Sequence, residues 1–486
     1  MATPIEPDAV TAADGTQRPD LIVLTPATRP AERAYALSTL LGDWLGLRHE
    51  VQVDPALPEP RIRLAGEPGG PEIILPDILL GPATAWLSPD SVPEGALAAV
   101  AAPAWMGFEG TLPLLFARPA AGDGLVDVDG DTFTFRLDLL GSVFFLLSRY
   151  EEAVPGAPRD AHDRSPATAS VLGRTGWLEW PVLDMYVTAF AALLRRAWPR
   201  LALDTGGPGG AILSHDVDHP SSAAHWRGTE ALRVVAGDAI HRRDIGLALR
   251  RATSLVASRR GPGRFDPLNT FDFLMTTSEA VGAKSTFFFL TLETEVPDGS
   301  RYRIDRPWAH RLMGEIAARG HRIGLHGSYR SFDDPRRMSD EWATLQRGGA
   351  DLPPGVLRGA IRQHYLRFRA GETWRIQAGA GLAEDESLGF ADAIGYRAGT
   401  ARSFGAWDIV RGEPLPLRVI PLHVMDVTLL QRMTSTLPER LAAVGEMAAR
   451  TRRHGGSLSL LWHNSSLETD ATKAIYRGLV GELLGS

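Results

Sequence analysis

The sequence predicts an α/β protein, and two observations support that fold class. Beyond residue 210, short apolar runs typical of buried strands alternate with segments of helical periodicity. Such alternation is typical of a parallel sheet, open or closed into a barrel, with helices packed on it. Ahead of it, residues 19–204 carry another set of strand and helix patterns, and 486 residues are enough for two or three domains.

The first region, residues 19–204, is predicted to be a smaller N-terminal α/β domain of unknown role, preceded by a flexible tail at 1–18. Its predicted elements are strands 21–24, 50–53, 61–64 and 72–75, and helices 32–44, 137–152 and 181–198. Within 137–152 the aromatic residues are expected to lie in the core. Arg149 with Glu151 or Glu152 is expected to form a structural ion pair or an edge of a substrate cleft. The glycine-rich residues 205–210 are predicted to be a linker, so the domain boundary is placed there.

The second region, residues 211–486, supplies the alternating pattern. Its predicted elements are strands 211–214, 285–290, 321–326, 360–365, 395–398, 417–424 and 458–462, with helices such as 270–281 and 309–319 between them. In barrels of parallel strands, functional side chains gather at the carboxyl ends of the strands. Polar clusters follow several of these predicted strands, so one shared site is expected at that end of the sheet.

Composition limits the classes of function open to this chain. The apolar fraction of 44% and the charged fraction of 22% are those of an ordinary globular protein, and the net charge of −7 gives no reason to expect a nucleic-acid partner. The sequence has no cysteine, so disulfides, thiolate metal sites and a cysteine nucleophile are excluded. Any metal must then be held by His, Asp, Glu or water, which suits zinc or another divalent first-row ion.

The sequence shows neither the pattern of a secretory signal nor an apolar run long enough to span a bilayer, so a cytoplasmic location without a transmembrane segment is expected. One stretch, Arg242–Arg264, interrupts the α/β pattern with seven arginines against the single acid Asp244. It is predicted to be either a surface helix with a solvated basic face, or a patch for phosphate-bearing sugar carriers or for peripheral contact with an anionic membrane.

The most informative segment is Ser214–Pro220, at the end of the first predicted strand of the second region. Asp216 and Asp218 are two residues apart, so both carboxylates face the same side of the strand. Like charges this close are tolerated when a cation lies between them or when one carboxylate acts as a base. The segment, with His215 and His219 beside the two acids, is therefore a candidate metal or acid–base site.

Three further polar clusters follow predicted strands. His326 ends one strand before a glycine, where an imidazole can project into a cleft. Arg362 and His364 share one face of the next strand, and Arg362 could pair with a carboxylate of the first cluster and keep it ionised. His463 ends the last apolar strand, a suitable position for a general acid or base. Each of these residues, taken singly, also fits a structural role.

In this order, the four clusters resemble those of the polysaccharide deacetylases (carbohydrate esterase family 4, the NodB-homology domain), over about residues 211–465. The resemblance implies a distorted (β/α) barrel in which Asp216 is the catalytic base and Asp218 a metal ligand. His326 matches the family's first metal-binding histidine, and His463 matches the terminal histidine that serves as general acid.

Other parts of the resemblance surround the base. Arg362 and Tyr365 match an Arg-x-x-Tyr motif that buttresses the base and lines the oxyanion site, where a backbone N–H near Tyr365 would also act. Ser285–Phe289 resembles the family's second strand, and Gly381–Ser387, with Asp385, resembles its following motif.

One position departs from the family's pattern. The second metal-binding histidine of the family falls at position 330, which is Arg330 here and cannot ligate a metal. The third protein ligand is therefore open, and His364 and His219 are the candidates. If neither reached the metal, the site would bind it weakly or not at all.

The resemblance implies a metal-dependent hydrolase that removes an N-acyl group, most simply N-acetyl, from an amino sugar in bacterial surface-polysaccharide metabolism. The metal would be Zn²⁺, with Co²⁺ or Ni²⁺ as alternatives. The substrate would be an amino-sugar-containing saccharide or its activated or lipid-linked precursor. Two alternatives stay open: a non-catalytic carbohydrate-binding or assembly protein on a degenerate deacetylase fold, which Arg330 favours, and a glycosyltransferase that holds a metal–diphosphate with its Asp-x-Asp pair.

Overall fold

The computed structural model describes residues 19–107, 110–118, 124–206, 209–257, 261–294 and 297–484. The predicted tail at 1–18, residues 207–208 of the predicted linker, and Arg259 and Arg260 of the basic stretch lie outside the described residues. Within the described ranges the protein is a mixed α/β structure with a six-stranded, a nine-stranded and a two-stranded sheet.

The first region is built on the six-stranded sheet, whose strand order is β2-β1-β3-β4-β8-β7, with β5 and β6 paired separately. Its strands are β1 Leu21–Thr25, β2 His49–Val53, β3 Arg61–Leu64, β4 Glu72–Ile74, β5 Ala98–Ala101, β6 Thr111–Leu114, β7 Val126–Asp129 and β8 Thr132–Phe135. Its helices are α1 Pro30–Leu37, α2 Leu139–Leu147, α3 Tyr150–Ala153, α4 Val171–Arg174 and α5 Val182–Ala197. The four strands predicted here are confirmed, and β5 to β8 are additional.

The helix predicted over 137–152 is two helices, because the chain breaks at Arg149. This residue has φ 57°, in the left-handed region that ends an α-helix. Its guanidinium Nη2 lies 2.8 Å from Glu152 Oε1, and Arg397 Nη2 of the second region lies 2.6 Å from Glu152 Oε2. All three side chains are at most 2% exposed. Burial opposes ionisation of Glu152, but Arg397 and Arg149 lower its pKa to about 2. The predicted structural ion pair is therefore confirmed.

We expect Glu152→Gln to lower the free energy of unfolding by about 3 to 5 kcal/mol, because it leaves two buried guanidinium groups without their shared carboxylate. Urea unfolding followed by circular dichroism measures the loss. The matched control is Glu372→Gln in the half-buried pair Arg369–Glu372, where the loss should stay below about 1 kcal/mol. Equal small losses in the two variants would contradict the structural role of Glu152.

The second region is built on the nine-stranded sheet, whose strand order is β14-β15-β13-β12-β11-β10-β9-β17-β16. Its strands are β9 Ala211–Val217, β10 Ser285–Phe289, β11 Arg322–Gly327, β12 Leu357–Gln363, β13 Glu384–Asp385, β14 Phe404–Asp408, β15 Glu413–Val419, β16 Val424–Met425 and β17 Leu458–Leu461. All neighbours pair in parallel except β14 and β15. In the described residues the terminal strands β14 and β16 do not pair with each other. The sheet is therefore open by hydrogen bonding, and the closed form of the predicted barrel is not found.

Helices follow most strands of this sheet. They are α6 Ser222–His225, α7 Gly228–Ile240, α8 Ile245–Ala257, α9 Phe271–Ala280, α10 Pro307–Ala318, α11 Pro335–Gly348, α12 Thr373–Gly379, α13 Leu437–His454 and α14 Asp470–Leu484. Two predicted strands are wrong. Residues 395–398 form a buried loop, and 417–424 is divided between β15 and β16 around Pro421, which has no N–H to donate to a ladder.

The larger apolar core extends across the predicted boundary at 205–210. Phe368, Trp374, Phe404 and Trp407 of the second region pack in one cluster with the helices of the first region. The Tyr35 hydroxyl also donates to the backbone carbonyl of Gly405 at 2.7 Å. The division into two domains stays a prediction, and the two regions share a core.

None of the helices in the described part of the chain has the length and apolar composition that a membrane crossing requires.

Candidate metal and acid–base site

The two aspartates of the first cluster lie at the carboxyl end of β9, near the middle of the nine-stranded sheet. Asp216 is in the strand, and Asp218 follows its last residue. Asp216 is 3% exposed, and its Oδ1 has no hydrogen-bond partner among the described residues. His326 Nε2 lies 3.1 Å from Asp218 Oδ1 and 3.7 Å from Asp216 Oδ2. The expected convergence of the first two clusters is therefore present.

His326 is oriented by the strand next to its own. Its Nδ1–H donates to the backbone carbonyl of Arg362 on β12 at 2.8 Å, which leaves the Nε2 lone pair directed at the aspartates. A Cβ at Gly327 would come within 2.5 Å of the buried Gln363 side chain, so a larger residue there would displace it. The imidazole thus has the tautomer and direction of a metal ligand.

His364 enters the same site from the end of β12. Its Nδ1–H donates to Asp298 Oδ1 at 2.6 Å, and its Nε2 lies 3.6 Å from Asp218 Oδ2. Burial disfavours the charged imidazole, but Asp218 and Asp298 raise the pKa of His364 to about 10. The next residue, Tyr365, turns the chain away with φ 62°.

The structure brings three possible ligands together: within the described residues, Asp218, His326 and His364 each offer one donor atom, all within 4.8 Å of one another. Burial opposes ionisation of Asp218, but the charge of His364 holds its pKa well below the usual value. One ionised carboxylate and two imidazoles, with both Nδ1–H groups engaged elsewhere, fit a divalent cation such as zinc.

The other candidate for the third ligand, His219, lies outside this cluster. Its ring stacks on His225 with centroids 3.6 Å apart. Burial, followed by the charge of His225, lowers the pKa of His219 to about 3. Arg330, at the position of the family's second histidine, is exposed. His364 is therefore the better placed of the two candidates.

His463 follows β17, the neighbour of β9 on the other side. Its Nε2 lies 3.6 Å from Asp218 Oδ2 and 3.9 Å from Asp216 Oδ2. Its Nδ1–H donates to Asp426 Oδ1 at 2.7 Å, and its backbone N–H donates to Asp426 Oδ2 at 3.0 Å. Burial opposes the charged form, but Asp426, Asp218 and Asp216 raise the pKa of His463 to about 10. In this arrangement His463 carries a proton at neutral pH and can donate it.

Arg362 does not lie in the position expected for a residue that buttresses the base Asp216. It is 1% exposed, and its Nη2 donates to Ser214 Oγ at 2.7 Å and lies 3.2 Å from Glu386 Oε2. No ion pair joins it to Asp216 in the described residues, so the expectation that it buttresses the base directly is wrong. The guanidinium lies level with Ser214 rather than with Asp216, and its carboxylate partner, Glu386, follows the adjacent strand β13. Arg362 reaches β9 only at Ser214, one step below Asp216 on the same face.

Of the two remaining motif residues, Tyr365 lies at the site and Asp385 does not. Tyr365 lines a cavity of about 270 Å³ together with Asp216, Asp218, His364 and His463. Asp385 is fully buried and is bonded to Trp374, Gln377 and Ser387, away from this cavity. Asp385 therefore has a structural role and does not contact the site.

The first region also contributes to this cavity through Arg164. Its Nη1 donates to the backbone carbonyl of Tyr365 at 2.9 Å, and its Nη2 pairs with Asp160 at 2.6 Å. The site is thus bordered by both regions of the chain.

Comparisons with known proteins give a family for the first region only. A model of a family of unknown function (DUF7033) matches residues 21–199. No curated protein matches the chain.

Two solved structures align with the chain over 58% of its length. A putative polysaccharide deacetylase from Mycobacterium smegmatis aligns at 14% identity and a TM-score of 0.36, over 85% of that protein. A family 4 carbohydrate esterase from Streptomyces lividans aligns at 13% identity and a TM-score of 0.29, over 90% of that protein. What the fold and the site define is a mixed α/β protein with an Asp–His–His cluster suited to a divalent cation.

Proposed function

We propose that this protein is a metal-dependent hydrolase that removes an N-acyl group, most simply N-acetyl, from an amino sugar. The observation that carries the proposal is the convergence of three kinds of group at one site. These are the ligand set of Asp218, His326 and His364, the carboxylate of Asp216, and the protonated imidazole of His463. All of them except His326 line the cavity of about 270 Å³. Amide hydrolysis needs each of these groups: an electrophile, a base and an acid.

Asp218, His326 and His364 would hold the cation, which supplies Lewis acidity to an acyl carbonyl when bound. Asp216 would take one proton from the attacking water as its oxygen bonds to the acyl carbon. His463 would donate a proton to the amine nitrogen as the C–N bond breaks. The products are a carboxylic acid and a free amino sugar, and Asp426 holds the imidazole of His463 in the orientation that donation requires.

The saccharide substrate follows from the motif resemblance rather than from the cavity. Asp216, Asp218, His326 and His463 occupy the family's positions in order, and His364 replaces the missing histidine at 330. We propose Zn²⁺ as the cation and an amino-sugar-containing saccharide, or its activated or lipid-linked precursor, as the substrate.

The test is acetate release by purified protein that has been stripped of metal and reloaded with zinc. Chito-oligosaccharides and a nucleotide-linked N-acetylhexosamine are suitable soluble probes. We expect activity to disappear on chelation and to return with zinc or cobalt, because the ligand set fits either ion. Full acetate release in the presence of chelator would contradict a metal-dependent mechanism.

Other outcomes would favour the alternatives. Saccharide binding with no retained metal, and no activation by zinc or cobalt, would indicate a binding protein on a degenerate fold. Tight calorimetric binding of a nucleoside diphosphate, with sugar transfer and no acetate release, would indicate a glycosyltransferase.

A further inference from the structure

The helical hairpin formed by α7 and α8, residues 228–257, exposes an unusual amount of apolar surface. Five large aliphatic side chains on it are between 62% and 85% exposed: Leu232, Ile240, Ile245, Leu249 and Val256. Elsewhere in the described residues, exposed large apolar side chains are scattered, as at Val53, Val128 and Val410. A concentration of this kind on one element indicates a contact surface.

Three of these side chains form a stripe along α8. Ile245, Leu249 and Val256 are four and seven residues apart, so they lie on one face of the helix. Leu247 and Arg251 are buried on the side that faces the protein. One face of α8 is therefore packed against α6 and α7, and its apolar face is open.

Not all arginines of the predicted basic face are exposed to solvent. Arg251 is fully buried and pairs with Asp238 at 2.6 Å and Glu468 at 3.0 Å, and Arg242 pairs with the same two acids. These arginines fasten the hairpin to the protein.

Two other arginines of the hairpin are available for a partner. Arg243 and Arg250 are exposed and form no ion pair with the described residues. Arg250 directly follows Leu249 of the apolar stripe, and Arg243 is two residues ahead of Ile245. An open apolar stripe flanked by uncompensated cations is complementary to a surface that is apolar beneath an anionic layer.

We propose that this hairpin rests on an anionic membrane surface, with the stripe at the acyl boundary and Arg243 and Arg250 among the phosphate groups. The neighbouring cavity connects this surface to the site. A space of about 460 Å³ is lined by Trp226 and Arg242, beside the hairpin, and by Asp218, His219 and His463. Given the proposed function, the hairpin would hold the opening of the site beside lipid-linked saccharides.

The test is flotation of the full chain with phosphatidylcholine vesicles that contain or lack phosphatidylglycerol. We expect binding only to the anionic vesicles. The combined substitutions Ile245→Ser, Leu249→Ser and Val256→Ser should weaken binding by more than about tenfold, because three exposed aliphatic groups no longer enter the membrane. The combined substitutions Arg243→Gln and Arg250→Gln should weaken binding and reduce its sensitivity to salt.

The matched control replaces three exposed valines outside the hairpin, Val53→Ser, Val128→Ser and Val410→Ser, and should leave vesicle binding unchanged. All of the replaced side chains are exposed, so the variants should retain the melting temperature of the parent. Binding needs no turnover, so a failed hydrolase assay would not affect this result. Conversely, the hairpin variants should still act on a soluble probe.

Two outcomes would overturn the proposal. One is the absence of binding to either vesicle, or binding that the combined substitutions at Ile245, Leu249 and Val256 leave intact. The other is a concentration-dependent dimer that these substitutions abolish, with no vesicle binding by the parent. That result would assign the stripe to a second copy of the chain.

Discussion

Asp216→Asn is expected to lower turnover about 100- to 10,000-fold, the range that a positioned general base contributes. An amide has the shape of the carboxylate but cannot accept the proton of the attacking water. The side chain is buried, and its Oδ1 has no partner among the described residues. Its Oδ2 lies 3.7 Å from His326 Nε2 and 3.9 Å from His463 Nε2, so the substitution removes a charge beside two imidazoles but no hydrogen bond.

The measurement is kcat for acetate release, together with zinc content and melting temperature, which should both stay at the parent values. Asp272→Asn is the matched control, because Asp272 is 92% exposed on α9. That variant should turn over at the parent rate. Full activity of Asp216→Asn on the substrate of the parent would rule out Asp216 as the base.

His364→Ala is expected to weaken zinc binding by more than about 100-fold. Loss of an outer hydrogen-bond partner of a metal ligand typically costs 10- to 100-fold in affinity, so loss of a ligand should cost more. His219→Ala should change the affinity little, because its ring lies against His225 and outside the ligand cluster. The pair of variants decides between the two candidates for the position left open by Arg330.

Competition with a chromophoric chelator measures both affinities, and circular dichroism checks that the variants are folded. If His219→Ala lost zinc and His364→Ala kept it, the ligand assignment would be reversed. If both variants bound zinc like the parent, the cluster would not be the metal site.

The sequence predicts those parts of the site that follow strands. Asp216, Asp218, His326 and His463 each come at the end of an apolar run, and the carboxyl ends of neighbouring parallel strands meet at one edge. The sequence suggests His364 as a ligand because it shares a strand face with Arg362. The choice between His364 and His219, however, depends on where their rings lie in space, which residue spacing does not predict.

The carboxylates that hold these histidines were missed. Asp426 follows the predicted strand 417–424 after one residue, so an acid at a strand end was a usable signal. Asp298 lies outside any strand or helix, and no periodicity marks it. The sequence pairs Arg362 with Asp216 rather than with Glu386, because the order of the strands, which places Glu386 beside Arg362, is a long-range property.

The fold was predicted best where elements are long or strongly apolar. The strands β5 to β8 have only four residues each, so their pattern is weak. Residues 395–398 are buried in a loop, and Arg397 among them pairs with Glu152 of the first region, a long-range contact that no local pattern predicts.

The core that crosses residues 205–210 restricts how this protein can be divided. A fragment beginning after the linker would expose Trp374, Trp407 and Phe404 to solvent. It would also leave Arg397 without its partner Glu152. It would also lose Arg164 from the wall of the cavity. The smallest working unit therefore includes the first region, and a shortened version made for crystallisation or assay would be prone to aggregate.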